Sequence, residues 1–118
     1  MNKMLVIDNE KYYNHPFILN YLASKNGNIY SLKSNKNLSK NRTNGNGYLI
    51  FYFYNNEKSK YQNYYFHRFV YEVFYGLIPK CKQVDHQNQI KNDNRIENLQ
   101  LLTPQENIKK VVINQLFQ

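Results

Sequence analysis

The chain has 118 residues, of which 42% are apolar and 16% aromatic, enough for one domain's core and too few for two cores of normal size. Sixteen Lys and Arg against eight Asp and Glu give a net charge of +8, which excludes an acidic solvating protein and is compatible with a polyanionic partner. A single cysteine, Cys81, excludes an internal disulfide framework and a multi-cysteine zinc site.

The charge needs discounting before it is used. Thirteen of the basic residues are Lys and only three are Arg, and they stand beside twenty Asn and twelve Tyr. All but Arg are encoded by A/T-rich codons, so genome bias alone pushes composition this way. The position of the charges carries more than their sum.

In chain order, residues 3–7 read as a strand, cut off by Asp8, Asn9 and Glu10. A polar stretch follows to Pro16, in which His15 reads as loop surface. The apolar run 17–23 and the alternating run 28–33 flank Ser24-Lys-Asn-Gly27, a hairpin signal. Residues 34–47 read as a loop rich in Ser, Asn and Gly. With Lys33 in front, this loop carries Lys36, Lys40 and Arg42 and no acid, and loops of one sign often meet phosphate.

Residues 48–54 form the longest apolar run, expected to be a strand buried on most of both faces. The run is too short and too aromatic to span a bilayer. Residues 55–60 turn, and 61–66 pair back across, so both aromatic clusters are expected to be core, with one or two outward Tyr free to touch sugar or base. The period then changes: Phe69, Val70, Val73 and Phe74 fall at helical spacing, predicting a helix over 67–75 stopped by Gly76 in a left-handed cap. His67 is expected to pack or cap at its start. Residues 77–82, with Pro79, form a connector, where Cys81 is expected to be small, buried or half-exposed.

The last third reads strand (83–86), asparagine-rich loop (87–98), strand (99–102), helix. Thr103-Pro-Gln-Glu106 is a full capping box, with Pro104 at the first helical position. The helix is expected to bury Ile108, Val111, Val112 and Leu116. No stretch has the layout of a signal peptide. The expectation is a protein of the host-cell interior with no membrane association.

Polar residues able to do chemistry converge in this last third. Asp85 and His86 stand together at a strand end, where the end of the strand frees both to reach one cleft. Asn98 closes the loop, and Asn107 sits in the first turn of the helix. A carboxylate and a carboxamide oxygen are hard ligands that suit one divalent metal, Mg²⁺ with Mn²⁺ as the other candidate, which keeps its remaining positions for water and phosphate oxygens. Asp85 and Asn107 are the candidate metal ligands. An imidazole can take a proton from an attacking water, which makes His86 the candidate base. Asn98 would hold the loop through side-chain to backbone bonds. Arg68 could clamp the scissile phosphate bidentately. Lys91, Arg95, Lys109 and Lys110 flank the site and join Lys33, Lys36, Lys40 and Arg42 as candidate contacts to duplex DNA.

These residues carry a resemblance. His67-Arg-Phe-Val, Val84-Asp-His86, Asp93-Asn-Arg-Ile-Glu-Asn-Leu99 and Leu102-Thr-Pro-Gln-Glu-Asn107 together resemble the HNH endonucleases, most closely the intron-encoded and free-standing homing type of phages and large DNA viruses. The stretch 21–33, then Gly47-Tyr48, then His67-Arg68 is similar to the same subgroup, so the resemblance covers about residues 17–110. It implies an α+β fold: an N-terminal antiparallel sheet and short helix, then a ββα-metal motif. It further implies one domain over 1–118, with a β-rich DNA-contacting part at 1–76 and the catalytic motif at 83–118. By position, Asp85 matches the metal-binding acid, His86 the general base, Asn98 the central Asn and Asn107 the helix residue that binds metal.

The implied activity is metal-dependent hydrolysis of duplex DNA, nicking it as a monomer with one site or cutting both strands as a dimer. A non-specific HNH nuclease and a non-catalytic DNA-binding module of the same fold are the competing classes. Three departures stand out. No His follows His86, so Asn107 replaces the His that many members carry, as in phage nicking members. Asn88-Gln89 replaces the usual Asp-Gly after the Asp-His pair. Related homing enzymes often carry a separate DNA-binding region after the nuclease module, where this chain has one helix, so sequence preference is expected from the N-terminal half or a partner.

Overall fold

The computed structural model describes residues 3–116, and side chains for residues 3–110. Among the described residues nine strands form three antiparallel sheets, joined by two helices and one 3-10 turn. The first is a meander of β1 (Met4–Ile7), β2 (Glu10–Asn14), β3 (Tyr21–Ser24), β4 (Ile29–Ser31) and β5 (Lys36–Asn37). The second is the hairpin β6 (Ile50–Asn55) and β7 (Lys60–Tyr65), which runs straight into α1 (Phe66–Tyr75). The third is the hairpin β8 (Gln83–His86) and β9 (Leu99–Leu102), followed by α2 (Pro104–Leu116), with the 3-10 turn Ile96–Asn98 ahead of β9.

The first sheet is longer than the sequence pattern suggested. Asp8 and Asn9 both have left-handed backbones (φ 52° and 65°), the geometry of a two-residue hairpin turn, and Ile7 pairs with Glu10 across it. The residues that seemed to end a strand therefore reverse the chain into β2. The 34–47 loop likewise contains the two-residue β5 at the sheet edge.

His15 is a second correction. It is buried rather than on a loop surface. Its Nδ1 accepts the backbone N–H groups of Phe17 and Ile18 at 3.2 and 3.0 Å, so Nε2 carries the hydrogen and donates it to Glu72 Oε1 at 3.1 Å. Tyr64 donates its hydroxyl to the same carboxylate oxygen, and Phe69 stacks on the imidazole. Burial, reinforced by that carboxylate, pushes the Tyr64 phenol well above its ordinary range. A buried acid is tolerable here because it is multiply hydrogen-bonded.

The core joins all three sheets through α1. Phe66, Phe69 and Val70 on its inner face meet Ala23 and Ile29 of the meander, Phe51 and Phe53 of β6, and Leu99 of β9. Burying a side chain of this size contributes roughly 1.5–3 kcal/mol. The β6–β7 hairpin buries one face only: Phe51 and Phe53 point inward while Tyr52, Tyr54 and Tyr61 are exposed, so the expectation of burial on both faces fails by simple strand alternation. α1 starts without a side-chain cap, and its first N–H is taken by the Leu49 carbonyl at 3.0 Å. Gly76 ends it as expected, but with φ 88° and ψ −167°, an extended positive-φ conformation and not the left-handed helical cap.

The capping box of α2 forms: Glu106 N–H donates to Thr103 Oγ1 at 3.1 Å, and Thr103 N–H reaches Glu106 Oε1 at 3.5 Å. Ile108, expected to be buried, is 65% exposed, because α2 turns Asn107 and Lys110 toward β8 instead. Val111, Val112 and Leu116 lie outside the described side chains. Cys81 is exposed, not buried. Among the described residues no helix is long and apolar enough to cross a membrane.

Candidate active site

The strand end at His86 is held by its own loop. His86 pairs with Leu99, and Gln87 N–H donates to the Asn98 carbonyl at 2.8 Å. Asn98 is buried and spends its side chain on loop bonds. Its Nδ2 donates to Asn88 Oδ1 at 2.9 Å and to the Asp93 carbonyl at 2.8 Å, and its Oδ1 accepts from Asn88 N–H at 3.1 Å. The loop turns at Asn88, whose Oδ1 accepts the Ile90 N–H, and at Gln89 in a left-handed conformation (φ 63°), the two positions where the resemblance led to the expectation of Asp-Gly.

His86 is almost fully buried, and its Nε2 lies 2.7 Å from Asn94 Oδ1. An amide oxygen only accepts, so Nε2 carries the hydrogen and Nδ1 is the basic nitrogen of the neutral ring; the tautomer follows from the partner. His67 and Tyr48 pack beside the ring, with centroids 5.0 and 5.9 Å away. Burial, with His86 and Arg68 nearby, pushes the His67 imidazole down to about 3, so it stays neutral. Its Nδ1 is buried without a partner, as is Asn94 Nδ2.

Asp85 Oδ2 accepts from Gln100 Nε2 at 2.9 Å and from Lys110 Nζ at 2.5 Å. Asn107 donates Nδ2 to Gln83 Oε1 at 3.0 Å, which leaves its Oδ1 available as a ligand. Asp85, His86 and Asn107 line two adjoining concavities of about 190 and 400 Å³. Arg68 and His67 line the larger, Lys91 and Lys110 the smaller. Two roomier concavities, of about 440 and 720 Å³, lie elsewhere. One, by Phe17 and Tyr54, takes in Lys33, and the other takes in Arg42. Neither gathers a set of groups with this chemistry.

The candidate basic residues divide. Lys91 reaches across to the Asn46 carbonyl (2.7 Å) and sits over the Tyr48 ring. Arg95 is spent on Asp93 and Glu97 at 2.7–2.8 Å, and this holds the Asp93 carboxyl far below its ordinary range. Lys109 is exposed on α2. Lys33, Lys36, Lys40 and Arg42 do not line the cleft; Arg42 instead stacks over Tyr52. Their loop meets the cleft through the uncharged Asn44, Asn46 and Tyr48.

Sequence reasoning missed Asn94 and Tyr48 at the site and the contact of Lys110 with Asp85. Asn94 is one Asn among twenty, and nothing in its spacing marks it. Tyr48 sits in a run whose pattern spells core.

Among the described residues no three of His, Cys, Asp and Glu cluster to hold a metal. The donors present are one carboxylate and one carboxamide oxygen. That set fits a hard divalent ion that retains water and substrate oxygens, and it does not fit a structural zinc centre.

Residues 64–109 match the family model described as HNH endonuclease, a segment that runs from β7 into α2 and contains Arg68, Asp85, His86, Asn98 and Asn107. This segment is similar to the HNH endonuclease family, and the fold around it agrees with that likeness. It is similar along 96% of its length to a solved structure described as "DNA binding and cleavage by the HNH homing endonuclease I-HmuI", with a TM-score of 0.71 and 25% identity. The α+β architecture is that of this homing endonuclease, and the match spans 59% of the length of that chain. No curated protein matches the sequence.

Proposed function

We propose that the chain is a homing-type DNA endonuclease that uses one divalent metal, Mg²⁺ or Mn²⁺, to nick duplex DNA. The observation that carries this reading is the meeting of Asp85, His86 and Asn107 on one cleft, with His86 held by Asn94 in the tautomer a base needs.

In this reading His86 Nδ1 takes the proton from the attacking water. Asn94 fixes the ring and stabilises the positive charge that the ring gains. Asn98 keeps the loop, and with it Asn94, in register with the strand end. Asp85 and Asn107 would hold the divalent ion, which when bound polarises the scissile phosphate and stabilises the leaving oxygen. Arg68, on the cleft wall, clamps a phosphate oxygen. Lys91 and Lys109 contact backbone phosphates beside the cleft, while Lys33, Lys36, Lys40 and Arg42 engage DNA further out along the β-rich part.

The test is incubation of supercoiled plasmid with Mg²⁺ or Mn²⁺, with EDTA and His86→Ala as controls. Relaxed circles that vanish in both controls support the reading. Linear product appearing directly points to cleavage of both strands, and discrete bands from a genomic digest separate a homing enzyme from a non-specific nuclease. Salt-sensitive DNA binding without cleavage of any substrate would replace the nuclease by a binding module.

A further inference from the structure

α2 presents two polar side chains, Asn107 and Lys110, to the end of β8, three residues apart on one helix face. Lys110 Nζ donates to Asp85 Oδ2 at 2.5 Å and to the His86 carbonyl at 2.9 Å. The two charged side chains are only 22% and 16% exposed. Asp85 thus already holds a cation, and that cation belongs to the chain itself.

We propose that Lys110 is a displaceable internal counter-ion: it occupies Asp85 when no metal is bound and is driven off when a divalent ion takes the carboxylate. This rests on the reading of Asp85 as a metal ligand.

A mostly buried carboxylate left without a counter-charge is unfavourable, so Asp85 needs one in the metal-free protein. Lys110 supplies it on a flexible four-carbon stem, as a compact point charge that can swing away without disturbing the helix. Gln100 also donates to Oδ2, so this oxygen keeps a hydrogen bond when the ammonium leaves. A divalent ion on Asp85 within roughly 4 Å of Nζ faces strong like-charge repulsion in so enclosed a place. The ion and the ammonium therefore compete, and each weakens the other reciprocally. Lys110 then differs in kind from the other basic residues of the cleft: Lys91 bonds a backbone carbonyl, Lys110 the carboxylate read as a metal ligand.

The test is Mn²⁺ affinity of the full chain without DNA, measured by calorimetry for wild type, Lys110→Met and Asp85→Asn. Lys110→Met keeps the stem and removes the charge. The expected result is affinity about tenfold higher than wild type, within the usual range of site-to-site coupling. Unchanged or weaker affinity overturns the proposal. If wild type shows no Mn²⁺ binding that Asp85→Asn removes, the metal-ligand reading of Asp85 fails instead. A second measurement does not depend on the variant folding: the ¹⁵N signal of the Lys110 ammonium, protected by its two bonds, is lost as Mg²⁺ saturates the wild type. Persistence of that signal at saturation also overturns the proposal.

Discussion

Gly27, in the turn between β3 and β4, lies directly against the backbone of Asn94, the residue that holds His86. A Cβ on Gly27 would come within 2.6 Å of the Asn94 carbonyl carbon and oxygen, and Gly27 has φ 86°. Beside it, Ile96 N–H donates to the Lys25 carbonyl at 2.9 Å. The first sheet thus braces the loop that orients the proposed base. Gly27→Ala must shift that loop or distort the turn. It should cost about 1–3 kcal/mol in denaturant unfolding. It should also lower nicking at temperatures where the variant is fully folded. Unchanged nicking with reduced stability would place the brace away from catalysis.

Asn94 should behave as a positioning residue. Asn94→Ala is expected to slow single-turnover nicking about 10- to 100-fold, the range for partners that orient an active-site histidine. DNA affinity in EDTA should stay the same. Asn94→Asp keeps an acceptor at the same place and should retain more activity than the alanine variant. The long-range ¹⁵N spectrum of His86 should show hydrogen on Nε2 in wild type and a mixture of tautomers in Asn94→Ala. A single unchanged tautomer in the variant would remove Asn94 from this role.

His67 makes stability sensitive to mild acid. Burial holds its pKa at about 3, below the ordinary 6.5, so between these values the unfolded ring takes a proton that the folded ring refuses. The unfolded state then binds more protons, and stability falls as pH drops below about 6.5 toward 3. His67→Phe keeps an apolar ring and should flatten that dependence between pH 6.5 and 5, where carboxylates contribute little. Parallel stability curves for the two proteins in this window would refute the assignment.

Gln89 carries a left-handed backbone that a glycine adopts freely. The left-handed conformation costs a side-chain-bearing residue about 1–2 kcal/mol, while glycine adds roughly 0.5–1 kcal/mol of chain entropy to lose on folding. Gln89→Gly should therefore stabilise the protein by up to about 1.5 kcal/mol in chemical denaturation, and a destabilised variant would show that the Gln89 side chain does more than tolerate the turn.

Much of the candidate site could be read from the sequence because its signals are local. Thr103, Pro104 and Glu106 announce α2, the Asp85-His86 pair ends a short strand, and Asn98 stands where the loop must close. The features that escaped are those whose cause lies far along the chain. His15 is buried because Glu72, 57 residues on, accepts its hydrogen, and no local pattern contains that pair. β2 was lost because Asp8 and Asn9 stop a strand as readily as they reverse one. Asn94 matters only through the His86 ring that folds onto it. Ile108 looked buried from helical spacing, but the helix face that meets β8 is the polar one.

The shared core bears on what can be separated from the matched segment. Phe66, Phe69, Val70 and Leu99 lie within residues 64–109, yet Ile18, Ala23, Ile29 and Phe51, against which they pack, all precede residue 64. The segment is not a cassette. Grafted alone into another protein, it would carry Asp85, His86 and Asn107 but expose its aromatic underside. The unit that an engineer could transplant intact is the motif together with the sheets it stands on.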